Sequence, residues 1–399
     1  MKKITPRQLI IFYCIYSFAI KFLALPALLS TTSAQNAWIA ALLGTVVELV
    51  LIFAVLNVLV IGNGSDIYSD LRTNTKFIGA KIIILFMMLL LLLQLFILSS
   101  QSYIILSQNL FTELNIHKFL VPLVIFGVLF CFMPARAIFR SGEIFYILII
   151  VGIALSVFPA LRNMNPSEIT PIFGGGITPI LRGFYQNLIY FESAAFLLIF
   201  SGDIKLQSDS GRNKQQASTN TMPDQAKDFR KKFMLTATLL GVFFVFFVFM
   251  FTSIFGPLAP TKDLAITNLT TYSEFLTQSG RLDWILVYIW TLLLLLRFGA
   301  TFFAVFACIR YLFNAKHRAG YIGFSIALFL YLMWWLLVRT PDRLNDFTAL
   351  VAPGIAVVFF VVPIACLVNA LILKWRNKNK NKNKKESENT APKQKEATS

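Results

Sequence analysis

Charge is what this sequence has least of. Only 14% of its 399 residues are Asp, Glu, Lys or Arg, against 57% hydrophobic, which is too little polar surface for a water-soluble fold of this length. Histidine is nearly missing, with His117 and His317 falling in connections on opposite faces. The 4 cysteines, Cys14, Cys131, Cys308 and Cys366, are scattered within or beside apolar runs. That scatter excludes a disulfide framework and a structural metal spacing. No nucleophile elbow, HExxH motif or paired-carboxylate pattern occurs, and Gly174–Gly176 lacks the Lys-Ser/Thr of a phosphate loop. Neither enzymatic chemistry nor a cofactor is expected.

Long apolar runs are what the chain does have. A bilayer core of about 30 Å takes roughly 20 apolar residues as helix. Such runs fall at about Gln8–Leu29, Ala37–Ile61, Ile82–Gln108, Phe119–Met133, Ile144–Leu161, Pro179–Gly202, Phe233–Phe255, Trp284–Ile309, Tyr321–Val338 and Phe347–Leu373. Stretches such as Ile82–Leu98 are apolar on every face, which favours helices over the alternating strands of a barrel. The expected fold class is an all-α polytopic membrane protein of about ten transmembrane helices. The first run lacks a small-residue cleavage site and contains Lys21 and Pro26, so it reads as a retained helix.

Of the 36 Lys and Arg, 27 lie on the side of both termini and 7 on the other, with Lys21 and Arg297 inside spans. This bias predicts cytoplasmic termini. The net charge of +17 is therefore topological, and nucleic-acid binding is not implied. Residues 374–399 read as a disordered basic tail able to sit on anionic membrane lipid. Gln207–Asp228 reads as a flexible loop, and Gly256–Asp283 as a connection that folds into short helices over the bundle.

Four ionisable residues lie deep within runs: Lys21, Glu48, Glu192 and Arg297, two of each sign. An acidic side chain at the bilayer centre costs on the order of 2.5–3.5 kcal/mol, and such residues mark ligand or ion pathways. Each must be paired, protonated or wetted. Lys21 with Glu192 is the leading expected pair, and Arg297 with Glu48 the second. The bland alternatives are a protonated Glu192 bonded to a neighbouring helix and a Lys21 that snorkels outward past Pro26.

Lys21 lies twelve residues beyond Leu9 and Glu192 twelve beyond Ile180, so the first and sixth spans carry ions at matching depth. Ten spans split as five and five, with repeats at about 8–161 and 179–373, give halves of opposite orientation. That is the inverted-repeat plan, in which broken helices hold a ligand at the midplane. Ser17, Ala19, Ala24 and Pro26 in span one and Ser193, Ala194 and Ala195 in span six fit such a site, and fit simple helix packing equally well.

Several motifs point to a family. ITPRQLIIFYCIYSFAIKFLALPALL followed by NAWIAALLG, then ITPIFGGGITPILRGFYQNLIYFES, FGPLAP and RLDWILVYIW resemble, in order and spacing, the B-subunit family of bacterial spore nutrient germinant receptors. The resemblance covers about Ile4 to Lys374. It implies the amino acid–polyamine–organocation superfamily, a LeuT-like five-plus-five inverted repeat and a small-molecule site between spans one and six. It also implies an A subunit and a lipoprotein C subunit as partners in the inner membrane of the spore. Relatives carry a glycine in the broken part of span one; here Phe18-Ala19-Ile20-Lys21-Phe22 has none.

Ser17, Ala19, Lys21, Tyr190, Glu192 and Ser193 are the expected ligand-facing residues, with Glu48 and Arg297 as intramembrane charge partners and Tyr103 and Phe196 as further aromatic candidates. Three functions fit: a receptor whose bundle shifts when a nutrient such as an amino acid binds, a proton-coupled amino-acid permease using Glu192 or Glu48, and a scaffold that has lost its ligand.

Overall fold

The computed structural model describes residues 4–62, 67–109, 116–204, 222–262, 264–272, 283–313, 318–339 and 360–372, with residues 375 and 379 alone. Helix α1 (Pro6–Lys21) starts from a capping box: the Thr5 hydroxyl accepts the Gln8 N–H, the Gln8 side chain accepts the Thr5 N–H, and Pro6 opens the first turn. It stops at Lys21 without any glycine. The cause is Pro26, which has no N–H to give the Phe22 carbonyl. After a turn at 22–24 the chain resumes as α2 (Leu25–Ser33), then reverses at Ala34–Asn36, where Ala34 takes φ 47°.

Helices α3 (Ala37–Gly62), α4 (Ile67–Asn109), α5 (Ile116–Phe132) and α6 (Ala135–Ala160) follow. The sixth span is again two pieces, α7 (Ile177–Asn187) and α8 (Glu192–Ile199), separated by a tightened turn at Leu188–Tyr190. The rest are α9 (Met222–Phe255), the short α10 (Ala265–Tyr272), α11 (Asp283–Phe313), α12 (Arg318–Arg339) and α13 (Phe360–Ile372). All ten predicted runs carry helix, although 347–359 of the last lies outside the described residues. Among the described residues five stretches, Leu25–Ile61, Ile78–Ser107, Ala135–Asn163, Ala226–Thr261 and Ile285–Phe313, are long and apolar enough to cross a bilayer; the first is α2 and α3 joined through the reversal.

Three helix starts differ from expectation, one of them α6, which begins at Ala135, nine residues before the apolar run at Ile144. Helix α4 starts at Ile67, well before the apolar run at Ile82, and α9 starts at Met222, inside the loop expected at Gln207–Asp228. In α9 the reason is local: Pro223 and Asp224 suit a first helical turn, and Asp228 pairs with Lys232 one turn on at 2.8 Å. Apolar periodicity marks only the membrane-embedded part of such helices. Of the connection after α9, the described part forms a turn at Gly256–Thr261 and the short helix α10, in line with the short helices expected there, and 273–282 lies outside the described residues.

Side-chain contacts fix the directions. Tyr13 packs on Phe233 and Phe22 on Phe247, so α1 runs parallel to α9. Trp38 meets Phe249 while Asn57 accepts a hydrogen bond from Arg230 at 2.8 Å, so α3 returns antiparallel. Ile4 pairs with Ile204, and the Ile4 N–H donates to the Asp203 carbonyl at 2.8 Å, which places the chain's start and the end of α8 on one face. On the opposite face the Asn165 N–H donates to the Ser253 carbonyl.

Helix α11 is central, packing against α4 and α5. Its contact with α5 uses reciprocal glycines. A Cβ on Gly299 would lie 2.7 Å from the Phe130 ring, and one on Gly127 would lie 2.9 Å from the Phe302 ring. Each ring thus rests on the facing backbone, the small-residue packing available where no hydrophobic drive separates helix from lipid. Gly299→Ala is expected to destabilise the fold by about 1–3 kcal/mol through overpacking, read as a lower unfolding temperature of the full-length protein in detergent.

Candidate functional site

The two helix interruptions come together at the middle of α3, and one residue joins them. Glu48 is 4% exposed. Its Oε2 takes the ammonium of Lys21, the last residue of α1, and its Oε1 accepts the hydroxyl of Ser193, in the first turn of α8, at 3.0 Å. The ends of broken helices favour this arrangement, because a cation is stabilised at a C-terminus and an anion near an N-terminus. A buried ion pair otherwise repays its desolvation poorly unless further hydrogen bonds meet the remaining lone pairs. Ser193 supplies one.

The break frees a carbonyl as well. Leu23 gives its oxygen to the Ala265 N–H at 2.6 Å, tying α10 to the interruption of span one. Beside the last turn of α1, Phe18, Ala19 and Leu23 with Ile266, Trp290 and Leu293 wall a small apolar pocket with room for little more than a water molecule.

Arg297, 1% exposed and the largest fully buried side chain among the described residues, reaches α1 from α11. Its guanidinium carbon stacks 4.3 Å from the centroid of the Tyr16 ring, and Nη1 donates to the Tyr16 carbonyl. One turn along α11, the Thr301 hydroxyl gives its hydrogen to the Arg297 carbonyl at 2.9 Å, so in the 3.0 Å contact between Tyr16 and Thr301 the tyrosine is the donor. On the side of the N-terminus the way is closed by rings. Tyr16 stacks on Phe196 at 4.1 Å, Phe12 packs on Phe139 at 4.5 Å, and Phe200 packs on Phe196 at 4.8 Å.

Of the residues expected from sequence, Ser17, Ala19, Lys21, Tyr190 and Ser193 are buried at the two interruptions. Glu192 opens α8, and its side chain lies outside the described residues. The counter-ion seen for Lys21 is Glu48, where the sequence-based ranking put Glu192 first and gave Glu48 to Arg297. Phe196 belongs to the ring stack, and Tyr103 packs on Phe119 between α4 and α5. Tyr16, Thr301 and the α10 contact were not anticipated. The Arg297–Thr301 spacing of one helical turn is the signal that could have flagged the pair. Among the described residues no three His, Cys, Asp or Glu side chains gather as a metal site.

A family model described as spore germination protein matches residues 3–219, more than half of the chain and both interruptions. The chain belongs to the spore germination protein family. No curated protein matches closely enough to count as a relative. Among solved structures, this spore germination protein is similar to Mhp1, a nucleobase-cation-symport-1 family transporter, in a closed conformation with bromovinylhydantoin bound. That likeness has a TM-score of 0.55 at 15% identity and covers 95% of this chain and 94% of that one. The inward-facing conformation of Mhp1 matches with a TM-score of 0.52 at 14% identity, over 90% of this chain and 76% of that one. The spore germination protein therefore has the LeuT-like inverted-repeat transporter fold expected from sequence. It is an integral membrane protein of the spore germination protein family built on a transporter fold.

Proposed function

We propose that this spore germination protein is the membrane subunit of a germinant receptor, binding a small nutrient such as an amino acid between the first and sixth spans. One observation carries the reading: both interrupted helices converge on Glu48, through Lys21 from one and Ser193 from the other. A ligand with charged ends that enters there competes for groups that hold two movable half-helices together, so its binding shifts the bundle. Ser17, Ala19, Lys21, Tyr190 and Ser193 are the buried residues at the site, and Glu192, which opens α8, is assigned to it from sequence. The repeats run over about 8–161 and 179–373. The Lys and Arg bias supports termini on the cytoplasmic side of the spore's inner membrane, where an A subunit and a lipoprotein C subunit receive the signal.

The likeness to Mhp1, a cation symporter, favours a second reading, a proton-coupled amino-acid permease in which Glu192 or Glu48 titrates. Nutrient-triggered dipicolinate release separates the two. Spores lacking this chain are expected to lose the response to one nutrient class and to regain it with the wild-type gene but not with Glu192→Gln. Unchanged release to every nutrient, in a strain with no redundant receptor, would favour transport.

A further inference from the structure

The buried trio at the interruptions has the charges of a free amino acid. Lys21 presents an ammonium at the end of α1, and Glu48 presents a carboxylate that the Ser193 hydroxyl holds at the start of α8. The two groups meet directly, and both are buried, with Lys21 6% and Glu48 4% exposed. We propose that Lys21 and Glu48 are a tethered stand-in for a zwitterionic ligand, and that a nutrient binds by ion-pair exchange: its carboxylate takes the Lys21 ammonium and its amino group takes the Glu48 carboxylate. This rests on the ligand site proposed above and specifies its chemistry.

The physical argument is one of balance. Separating Lys21 from Glu48 in a low-dielectric interior leaves two uncompensated charges, which is strongly unfavourable for either alone. A ligand carrying only one charge repairs half of that loss. A compact zwitterion repairs both halves at once, so the site discriminates for ligands bearing an ammonium and a carboxylate on the same carbon. Without ligand the two interruptions are held together by the protein's own charges, and the ligand's charges replace that hold with one of different length. Ser193 stays on Glu48 in either state and keeps the carboxylate aimed at the gap.

The test uses the full-length chain in nanodiscs of zwitterionic lipid, with thermal stabilisation by added solutes as the readout. On the wild-type protein, L-alanine, n-propylamine and propionate are compared. Exchange predicts that the zwitterion binds saturably and that each single-charge analogue binds weaker by roughly 100-fold or more, because each leaves a buried ion unpaired. Either analogue binding within a few-fold of the zwitterion overturns the proposal, while the ligand site itself survives. If no free amino acid drawn from the small aliphatic, polar and charged classes binds, the nutrient reading fails as well.

A second arm uses Lys21→Ala, with Lys21→Met as the volume-filling control. Ethylamine is expected to stabilise the alanine variant saturably and to leave the wild type unmoved, because the amine re-forms the missing cation beside Glu48. A folded alanine variant that no small amine stabilises shows a sealed structural pair and refutes exchange even where alanine binds the wild type. Should the alanine variant fail to fold, the methionine variant decides the matter: retention of wild-type affinity for L-alanine overturns the proposal, and its loss supports it.

Discussion

Glu48→Gln is expected to destabilise the folded protein by about 3–5 kcal/mol, because it leaves the Lys21 ammonium buried without its counter-ion. The neighbouring Ser193 hydroxyl cannot compensate, since it offers no charge. The measurement is thermal unfolding of the full-length chain in detergent, following tryptophan fluorescence. Lys21→Met added to Glu48→Gln is expected to recover most of the loss. Replacing a buried ion pair by neutral groups of similar volume is often near neutral, whereas removing one partner is not. A Glu48→Gln protein as stable as wild type would mean that the two side chains are wetted and only loosely coupled.

Arg297 gives the second large effect. Arg297→Ala removes a large, fully buried side chain and with it the stack on Tyr16 and the hydrogen bond to the Tyr16 carbonyl. A loss of about 3–5 kcal/mol is expected from the cavity and the severed contacts. Arg297→Lys is the sharper experiment. It keeps the charge but offers neither the planar face nor the forked donors, and a loss of about 1–3 kcal/mol is expected. If lysine proves equivalent to arginine under the same unfolding assay, the guanidinium's geometry is not what joins α1 to α11.

How much of this could be read from the letters varies by level. The spans were legible because the bilayer imposes a length and an apolar composition that few other contexts produce. The interruption of span one was legible in part, since Pro26 names the carbonyl it cannot serve, although the missing glycine argued the other way. The interruption of span six was legible only through the inverted-repeat plan, because Leu188–Phe191 contains neither proline nor glycine to mark it locally. The four deep charges were found by their depth alone. Their partners were not, because depth along a helix says nothing of its rotation. Glu48 meets Lys21 through the way α3 turns its middle toward both breaks, and that is a property of packing against α7 and α9. Tyr16 and Thr301 escaped for a related reason: neither is unusual in an apolar helix until Arg297 reaches over from a span some 280 residues away.

The central claim is that the pair joining the two interruptions works in nutrient sensing and is more than a structural bridge. Spores carrying the Lys21→Met and Glu48→Gln double variant test it most directly, with the protein's membrane level and unfolding temperature measured beside nutrient-triggered dipicolinate release. The account predicts a protein present and folded at near wild-type levels whose spores no longer respond to the nutrient that wild-type spores recognise. A normal response from spores containing the folded double variant would contradict it.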